Sequence, residues 1–364
     1  MTQEEIDWVF GLKLNVLEFL HEMSSPKKAG YYRYSYSGDL YDESKHWNVG
    51  SSAYALKIYY TLGLEKDQAV EDIGRYIKSF QKPNGLIYDD FICRKAFLRN
   101  VAVSLKHWNL MNLFNEQYKR AETRQCYSSL MLYSMLPQKL CSLIPKTKKE
   151  IDSYLSRLNW KNPWQAGGVF SHLMFFLQLS KESGVTNNID FDELISYAID
   201  KVNKLQNSKD GGWYKGRVDD RLKVNGAMKV ITGLAAVNKT YFSYPEKLID
   251  LCLNVSDYES ACDNFNIIYV LNNASKLLNK SYRQDDIEQF ALKKLAIYKN
   301  RYYRQQGGFS FFPSGANHNY YDAKITKGLN EPDMHGTVLF LWGISIIVQL
   351  LGIEKELEFK EFKA

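Results

Sequence analysis

The strongest constraint on the fold is a glutamine–glycine–tryptophan junction between two helical patterns in residues 202–237. Val202 and Gln206 end one amphipathic pattern, Gly211 and Trp213 follow, and a mostly apolar pattern begins a few residues later. Glycine permits the positive φ of a tight turn. A glutamine near a helix C-terminus can hydrogen-bond exposed carbonyls, and an indole can cover the junction. The stretch therefore predicts a connection that ties one helical hairpin to the next.

Weaker versions of this junction recur along the chain. They are Ile77–Ile87 with Gln81 and Gly85, then 164–170, 304–309 and, as a first copy, Gly38. The intervals between their glycines are about 45 residues or twice that, a period typical of repeated supersecondary units. The rhythm predicts an array of similar helical hairpins.

Apolar residues at helical spacing divide the chain into two classes of helix. One class is mostly apolar with small residues near its start: 48–64, 123–136, 169–179, 222–237, 263–278 and 334–351. The other class is amphipathic: 3–22, 67–81, 147–158, 188–206, 243–254 and 284–303. Residues 91–120 contain a further unit whose helix boundaries the pattern leaves open. Alternation of the two classes is what inner helices shielded by outer helices require.

The sequence therefore predicts an all-α fold, a single α/α toroid over residues 1–364 with about six helical hairpins in inner and outer rings. The aromatic stretch 24–47 has few helix signals and is expected to be an extended segment or a lid. Aromatic residues make up 14% of the chain and include 26 tyrosines, which favours a cavity lined by rings. A base-composition bias of the genome is the alternative explanation of that excess.

Charge and cysteine usage exclude several classes of protein. The net charge of +6 is spread along the chain, so we expect no nucleic-acid partner. The five cysteines are an odd number without a CxxC pair, which favours a reducing compartment over a disulfide scaffold. The N-terminus is acidic and no run of 18 apolar residues occurs, so we expect a cytoplasmic protein without stable membrane insertion.

The junction pattern and the repeat resemble the terpenoid cyclase and protein prenyltransferase superfamily. The run Asp333–Ile346, DMHGTVLFLWGISI, is similar to the last inner helix of prenyltransferase β subunits, where an Asp, a zinc-binding His and a Thr open the helix. The resemblance implies an α/α toroid with a central aromatic-lined cavity. It also implies a substrate such as an isoprenoid or a prenyl diphosphate.

Two motifs of that superfamily are altered in this chain. The zinc set would be Cys262, Asp263 and His335, but the first two are adjacent and reversed, and His335 stands one place early. No cofactor is therefore expected, with zinc kept as the alternative. The Asp-x-Asp-Asp of protonating cyclases corresponds to Arg217–Asp220, where arginine replaces the leading acid. An adjacent cation favours ionised carboxylates, the opposite of a strong acid.

Candidate site residues lie where the apolar helices begin, because free N–H groups and the helix dipole favour polar ligands there. The catalytic candidates are Asp333, His335, Asp219 and Asp220; the substrate-binding candidates are His46, Trp47, Arg124, Trp164, His172, Trp213, Asn225 and Asp263. Asp333 and His335 are an acid and a base within two residues. For each aspartate the alternative is an ordinary N-cap.

Two classes of function remain open. The first is an enzyme acting on a small molecule or an oligosaccharide, either an isoprenoid-handling enzyme or a glycoside hydrolase or uronate lyase on the same fold. Isoprenoid handling predicts a deep apolar cavity with cations such as Arg124 at its mouth; glycan handling predicts a polar groove with exposed tryptophans. The second class is a non-catalytic binding or scaffold protein, in which the polar residues would not converge. Fold analogy does not decide among them.

Overall fold

A computed structural model describes residues 1–106, 112, 116–137, 139–141, 144–184, 188–255 and 259–363. Within these ranges the chain forms fourteen α-helices and four two-residue strands. The helices are α1 (Gln3–Met23), α2 (Val49–Thr61), α3 (Ala69–Lys78), α4 (Asp90–Lys106), α5 (Glu116–Met131), α6 (Lys148–Ser156), α7 (Pro163–Ser183), α8 (Phe191–Asn203), α9 (Asp220–Ala236), α10 (Pro245–Asn254), α11 (Ala261–Leu277), α12 (Gln284–Lys299), α13 (Met334–Leu350) and α14 (Glu354–Leu357). The strands are β1 (Tyr302–Tyr303), β2 (Gly308–Phe309), β3 (Asn319–Tyr320) and β4 (Ala323–Lys324).

The all-helical prediction is confirmed, and each helix predicted from apolar spacing has a counterpart. The largest boundary error is in α5, which begins at Glu116 rather than 123 and ends at Met131 rather than 136. Its first two turns carry charged residues and so lack the apolar spacing that marks a helix. The two antiparallel hairpins β1–β2 and β3–β4 and the short α14 were not predicted, because strands of two residues leave no alternating pattern.

The chain divides into two compact units. The first comprises Met1–Gln138, Glu259–Cys262 and Leu292–Phe362; the second comprises Lys139–Tyr258, Asp263–Ala291 and Lys363–Ala364. In the first unit α2 packs against α3, α5 and α13. All but one of the residues of α2 are buried, and α13 is nearly as enclosed. These two helices therefore belong to the mostly apolar class that the sequence predicts.

In the second unit α7 and α9 pack closely through glycines. A Cβ placed on Gly226 would lie 2.5 Å from the Cβ of Pro163, and one on Gly167 would lie 2.9 Å from the carbonyl oxygen of Gly226. Any larger residue would force the two backbones apart. The small residues in these apolar stretches therefore set the helix spacing.

The Gln206 junction forms as predicted. The Gln206 amide donates to the Gly211 carbonyl at 2.9 Å and to the Ser243 carbonyl, and its oxygen accepts from the Ser243 amide at 3.0 Å. Gly211 has a φ of 74°, and the fully buried indole of Trp213 packs edge-on against Phe242. One side chain thus ties the end of α8 to the segment that precedes α10.

The other predicted junctions differ among themselves. Gly85 and Gly307 are turn glycines with φ of 85° and 74°, and Gln81 donates to the Gly85 carbonyl at 3.4 Å. The predicted junction at 164–170 is wrong, because these residues lie inside α7. Asn162 caps that helix and Pro163 occupies its first turn, a start signal that outweighs the two glycines.

The stretch 24–47 contains no helix and makes isolated antiparallel bridges between Ser24 and Tyr32 and between Ser35 and Asp333. Both oxygens of Asp39 accept from the Tyr34 amide at 2.9 Å, which fixes the turn at the centre of the stretch. Tyr31, Tyr32 and Tyr34 are almost fully buried. The stretch is therefore an extended segment, and its role as a lid remains a prediction. Across the described ranges, no helix combines the length and the apolar character that crossing a membrane requires.

Candidate active site

A glutamate of the first unit lies in an unusual environment for an acidic side chain. Glu122, on α5, is fully buried. The Tyr320 hydroxyl donates a 2.6 Å hydrogen bond to its Oε2, whereas Oε1 has no hydrogen-bond partner among the described residues. Burial raises the pKa of Glu122 to about 8, although the Tyr320 hydrogen bond and the nearby Lys57 ammonium lower it. Glu122 therefore holds a proton at neutral pH.

A glycine on α2 makes room for this pair. A Cβ on Gly50 would lie 2.3 Å from the Tyr320 hydroxyl and 2.9 Å from Glu122 Oε1. Tyr320 reaches this position from the β3–β4 hairpin. Lys57, about two helical turns after Gly50 on α2, is also buried and donates to the Gln125 side chain at 2.9 Å. The small residues predicted at the start of this helix therefore admit the site's polar groups.

Four tyrosine rings lie around the ring of Tyr320, and we refer to Tyr34, Tyr54, Tyr118, Tyr320 and Tyr321 as the tyrosine cluster. The Tyr320 ring lies between 4.9 and 6.5 Å from each of the other four rings, centroid to centroid. Burial raises the pKa of the Tyr34, Tyr54, Tyr118 and Tyr320 hydroxyls well above their usual value. These hydroxyls are therefore neutral donors and acceptors at physiological pH.

His335 joins the tyrosine cluster, as an acid–base role requires. Its ring stacks on Tyr54 at 4.9 Å with an interplanar angle of 13°. A 3.3 Å hydrogen bond links its Nδ1 to the Tyr34 hydroxyl, which also accepts from the Asn317 amide at 3.3 Å. Phe311 covers another side of the imidazole at 4.7 Å. The half-buried His335 therefore lies in the same unit as Glu122, as does the other candidate at this helix start, Asp333.

Asp333 has the geometry of a helix cap. Its Oδ1 accepts from the Gly336 amide at 2.7 Å, and its Oδ2 accepts from the Phe311 and Asn317 amides at 2.9 and 3.0 Å. Burial raises its pKa to about 7. Because backbone amides occupy both oxygens, this geometry favours the capping alternative, with Asp333 holding the start of α13 beside His335.

Asp89 and Asp39 are buried carboxyls of the same structural kind. Asp89 accepts from the Asn48 amide at 2.6 Å and from the Phe91 amide at 2.7 Å at the start of α4. Burial raises its pKa to about 6, and burial raises that of Asp39 to about 7. Both carboxyls accept hydrogen bonds from main-chain amides around the extended segment and α2, whereas the partner of Glu122 is a side-chain hydroxyl.

Arg124 is buried two residues after Glu122 on α5. Burial of the Tyr321 hydroxyl raises its pKa, and the Arg124 guanidinium lowers it. Of the predicted residues in the first unit, His335 contacts the tyrosine cluster directly. Of the other candidates in this unit, His46 stacks on Phe80 at 3.8 Å and the buried Trp47 donates to the Asp42 carbonyl at 3.1 Å.

The remaining candidates lie in the second unit. Asp219 and Asp220 are exposed; Asp219 caps α9 and accepts from the Leu222 amide at 3.0 Å, and Asp220 pairs with Lys223 at 2.6 Å. Exposure and these partners favour the capping and surface alternatives for both. Trp213 is fully buried in its junction.

Asn225 and Asp263 do meet, in a buried polar network of the second unit. The Asn225 amide donates to Asp263 Oδ1 at 2.7 Å, and its oxygen accepts from Asn266 at 2.7 Å. Arg221 approaches the other Asp263 oxygen at 3.8 Å. Trp164 and His172 lie on α7 and are partly exposed. Two substrate-binding candidates of this unit, Asn225 and Asp263, are thus hydrogen-bonded to each other.

Sequence reasoning missed Glu122, Tyr320 and Tyr54. A signal was present, since the charged run Glu122-Thr-Arg-Gln opens a stretch that is otherwise apolar, and such a run inside a buried helix demands partners. Within the described residues, no group of three or more His, Cys, Asp or Glu side chains is arranged to hold a metal ion.

With the fold and this geometry in place, the chain was compared with protein-family models, with curated proteins and with solved structures. No family model, curated protein or solved structure matches it.

Proposed function

We propose that the protein is an enzyme in which Glu122 transfers a proton to or from an apolar, isoprenoid-type substrate bound against the tyrosine cluster. The observation that carries the proposal is a fully buried carboxyl, protonated at neutral pH, with one oxygen unused beside Tyr320. Leaving a buried polar atom without a partner costs about 1–3 kcal/mol, so such an atom is expected where a substrate supplies the contact.

Each group at the site has a separate role in the proposed reaction. Glu122 with a pKa of about 8 is a proton donor at neutral pH and a base once ionised, and the Tyr320 hydroxyl orients it. A group of this pKa is far too weak an acid to protonate an alkene, so the reaction is not initiated in the manner of a protonating cyclase. The faces of Tyr54 and Tyr320 favour positive charge developing on the substrate. Arg124, buried on the same helix, is the cation that we propose meets a diphosphate or another anionic group.

An isoprenoid is favoured over a glycan because two of the three candidate tryptophans, Trp47 and Trp213, are not available to stack sugars, and the partly exposed Trp164 lies in the second unit. Trp47 and Trp213 are fully buried in structural contacts. Glycan processing, of the glycoside hydrolase or uronate lyase type, remains the second candidate, because the Tyr34 hydroxyl, Asn317 and His335 form a hydrogen-bonding set suited to a hydroxylated substrate. A scaffold role is disfavoured by the contacts of both Glu122 and His335 with one tyrosine cluster.

The proposal also keeps the finer fold assignment, a terpenoid cyclase-like α/α toroid in a cytoplasmic protein. Alternating enclosed and amphipathic helices and the glutamine junction at Gln206 support the toroid. The acidic N-terminus and the cysteine pattern support the compartment. We propose no resident cofactor; metal analysis of the purified protein and of His335→Ala tests the zinc alternative, because stoichiometric zinc lost in the variant would establish a metal site.

The decisive experiment compares Glu122→Gln with Glu331→Gln. Glu331 is also buried in the first unit, but both its oxygens accept from Ser37 at 2.8 Å. Wild type and both variants are assayed for turnover of prenyl diphosphates and of acidic oligosaccharides, with substrate binding measured by calorimetry. We expect Glu122→Gln to lose about 10²–10⁴-fold in kcat while still binding substrate, and Glu331→Gln to keep its activity. Equal activity of Glu122→Gln and wild type would refute the proposal, and turnover of oligosaccharides alone would establish the second candidate.

A further inference from the structure

Helix α4 has its polar and apolar faces reversed. Its buried positions recur every four residues as Ile92, Ala96, Asn100 and Ser104, so that half of them are polar. The large apolar side chains point outward instead: Phe97 is 48% exposed, Leu98 82%, Val103 39% and Leu105 54%. A helix packed on its own protein shows the opposite arrangement. The outward face of α4 is therefore suited to a partner outside the first unit.

The charges on α4 restrict what that partner can be. Arg94, Lys95, Arg99 and Lys106 are its basic residues, and all four are exposed. Asp90 is its one acidic residue, and Lys82 already pairs with it at 2.6 Å. Arg99 pairs with Asp322 at 3.2 Å, so Arg94, Lys95 and Lys106 carry the excess of positive charge. The helix thus presents exposed apolar side chains together with positive charge, which complements a surface that is both apolar and negatively charged.

We infer that α4 binds to the surface of an anionic lipid bilayer, with Phe97, Leu98 and Leu105 entering the boundary of the acyl chains and Arg94 and Lys106 meeting the lipid headgroups. Helices that lie in a membrane interface combine aromatic and leucine side chains with flanking lysine and arginine. Each cation near an anionic surface contributes about a fivefold gain in affinity. This inference does not rest on the proposed enzymatic function.

Helix α1 provides an internal comparison. It also exposes large apolar side chains, with Phe10 63% and Leu14 64% exposed. Its first turn, however, carries Glu4 and Glu5, and the charge of those residues repels an anionic surface. Exposed apolar area alone therefore does not define the site, and Leu14 supplies a matched control.

The test is sedimentation of the full chain with vesicles of phosphatidylcholine alone and of phosphatidylcholine mixed with phosphatidylglycerol. Four proteins are compared: wild type, Leu98→Glu/Leu105→Glu, Arg94→Glu/Lys106→Glu and Leu14→Glu. All the substituted side chains are exposed, and circular dichroism with thermal unfolding verifies that each variant is folded. We expect wild type and Leu14→Glu to bind the mixed vesicles, less tightly at high salt.

Both double variants are expected to lose at least about tenfold in binding to the mixed vesicles. Absence of wild-type binding to the mixed vesicles would overturn the inference. An equal loss in Leu14→Glu would also overturn it, because the effect would then not be specific to α4. A second copy of the chain is the other partner that could cover this face, and gel filtration tests for it. If wild type is a dimer, Leu98→Glu/Leu105→Glu is a monomer and neither binds vesicles, the face would be assigned to a second copy of the chain.

Discussion

The Tyr320 hydroxyl donates a 2.6 Å hydrogen bond to Oε2 of Glu122, and both groups are shut off from solvent. A hydrogen bond to the carboxylate favours its ionised form, whereas removal from water favours the protonated form. Burial is the larger effect here, since the pKa of Glu122 rises to about 8 from an ordinary value of 4.5. The relationship between these two residues therefore makes pH dependence a direct probe of the site.

Glu122→Gln is expected to flatten the dependence of stability on pH near neutrality. A carboxyl whose pKa is higher in the folded chain stabilises the fold fully below the unfolded pKa, and this contribution is lost as pH rises through the folded pKa. The contributions of Asp39 and Asp333 to stability have the same sign, but they are lost near the pKa of about 7 of these two groups. Between about pH 7 and about pH 8, the contribution of Glu122 is still being lost, and this loss lowers the unfolding free energy by up to about 1.4 kcal/mol per pH unit.

Urea unfolding at several pH values measures this slope in wild type and in the variant. Glutamine keeps an oxygen that can accept from Tyr320, so the variant is expected to fold. An identical slope in both proteins between about pH 7 and about pH 8 would mean that Glu122 is not protonated in the folded chain.

Tyr320→Phe is expected to raise the pH at which Glu122 loses its proton in the folded chain, so the fall in stability should end at a higher pH. The lost hydroxyl is the group that lowers the Glu122 pKa most, so without it the carboxyl holds its proton longer. Above that pH the ionised, unpartnered carboxylate is expected to cost about 1–3 kcal/mol of unfolding free energy. Tyr321→Phe is the control, because the Tyr321 ring packs on Tyr118 at 4.8 Å and the Glu122 hydrogen bond is left intact. A downward shift in Tyr320→Phe would contradict the prediction.

The sequence identifies helices well and this site poorly, for a physical reason. Apolar spacing marks α1 or α8 because each helix buries one face locally. Glu122 and Tyr320 are 198 residues apart, and the hairpin that delivers Tyr320 has strands of two residues, so no local pattern joins the two. The position of His335 at a helix start was predictable because it follows an N-cap aspartate, a signal contained within a few residues.

Gln206→Ala is expected to lower the unfolding free energy by about 1–3 kcal/mol. The substitution removes the side-chain contacts to the main-chain groups of Gly211 and Ser243, which lie in the turn after α8 and before α10. Gln178→Ala is the matched control, because that side chain bonds to Glu182 on the surface of α7 and its loss is expected to cost less than about 0.5 kcal/mol. Equal effects of the two substitutions, measured by urea unfolding, would show that the junction adds nothing beyond an ordinary surface contact.

Gly226→Ala and Gly168→Ala are expected to change stability in opposite directions. A Cβ on Gly226 meets Pro163 at 2.5 Å, and the neighbouring backbone carbon lies at 3.0 Å, so α7 and α9 must separate. Such overpacking costs about 1–3 kcal/mol. Gly168 lies on α7, directly after Gly167, and a Cβ placed on it meets nothing within 4 Å. Alanine at this position is expected to gain about 0.5–1 kcal/mol from helix propensity. Thermal and urea unfolding measure both variants. A stabilised Gly226→Ala would mean that the two helices are not in glycine-mediated contact, because a helical alanine can gain stability only where its methyl group has room.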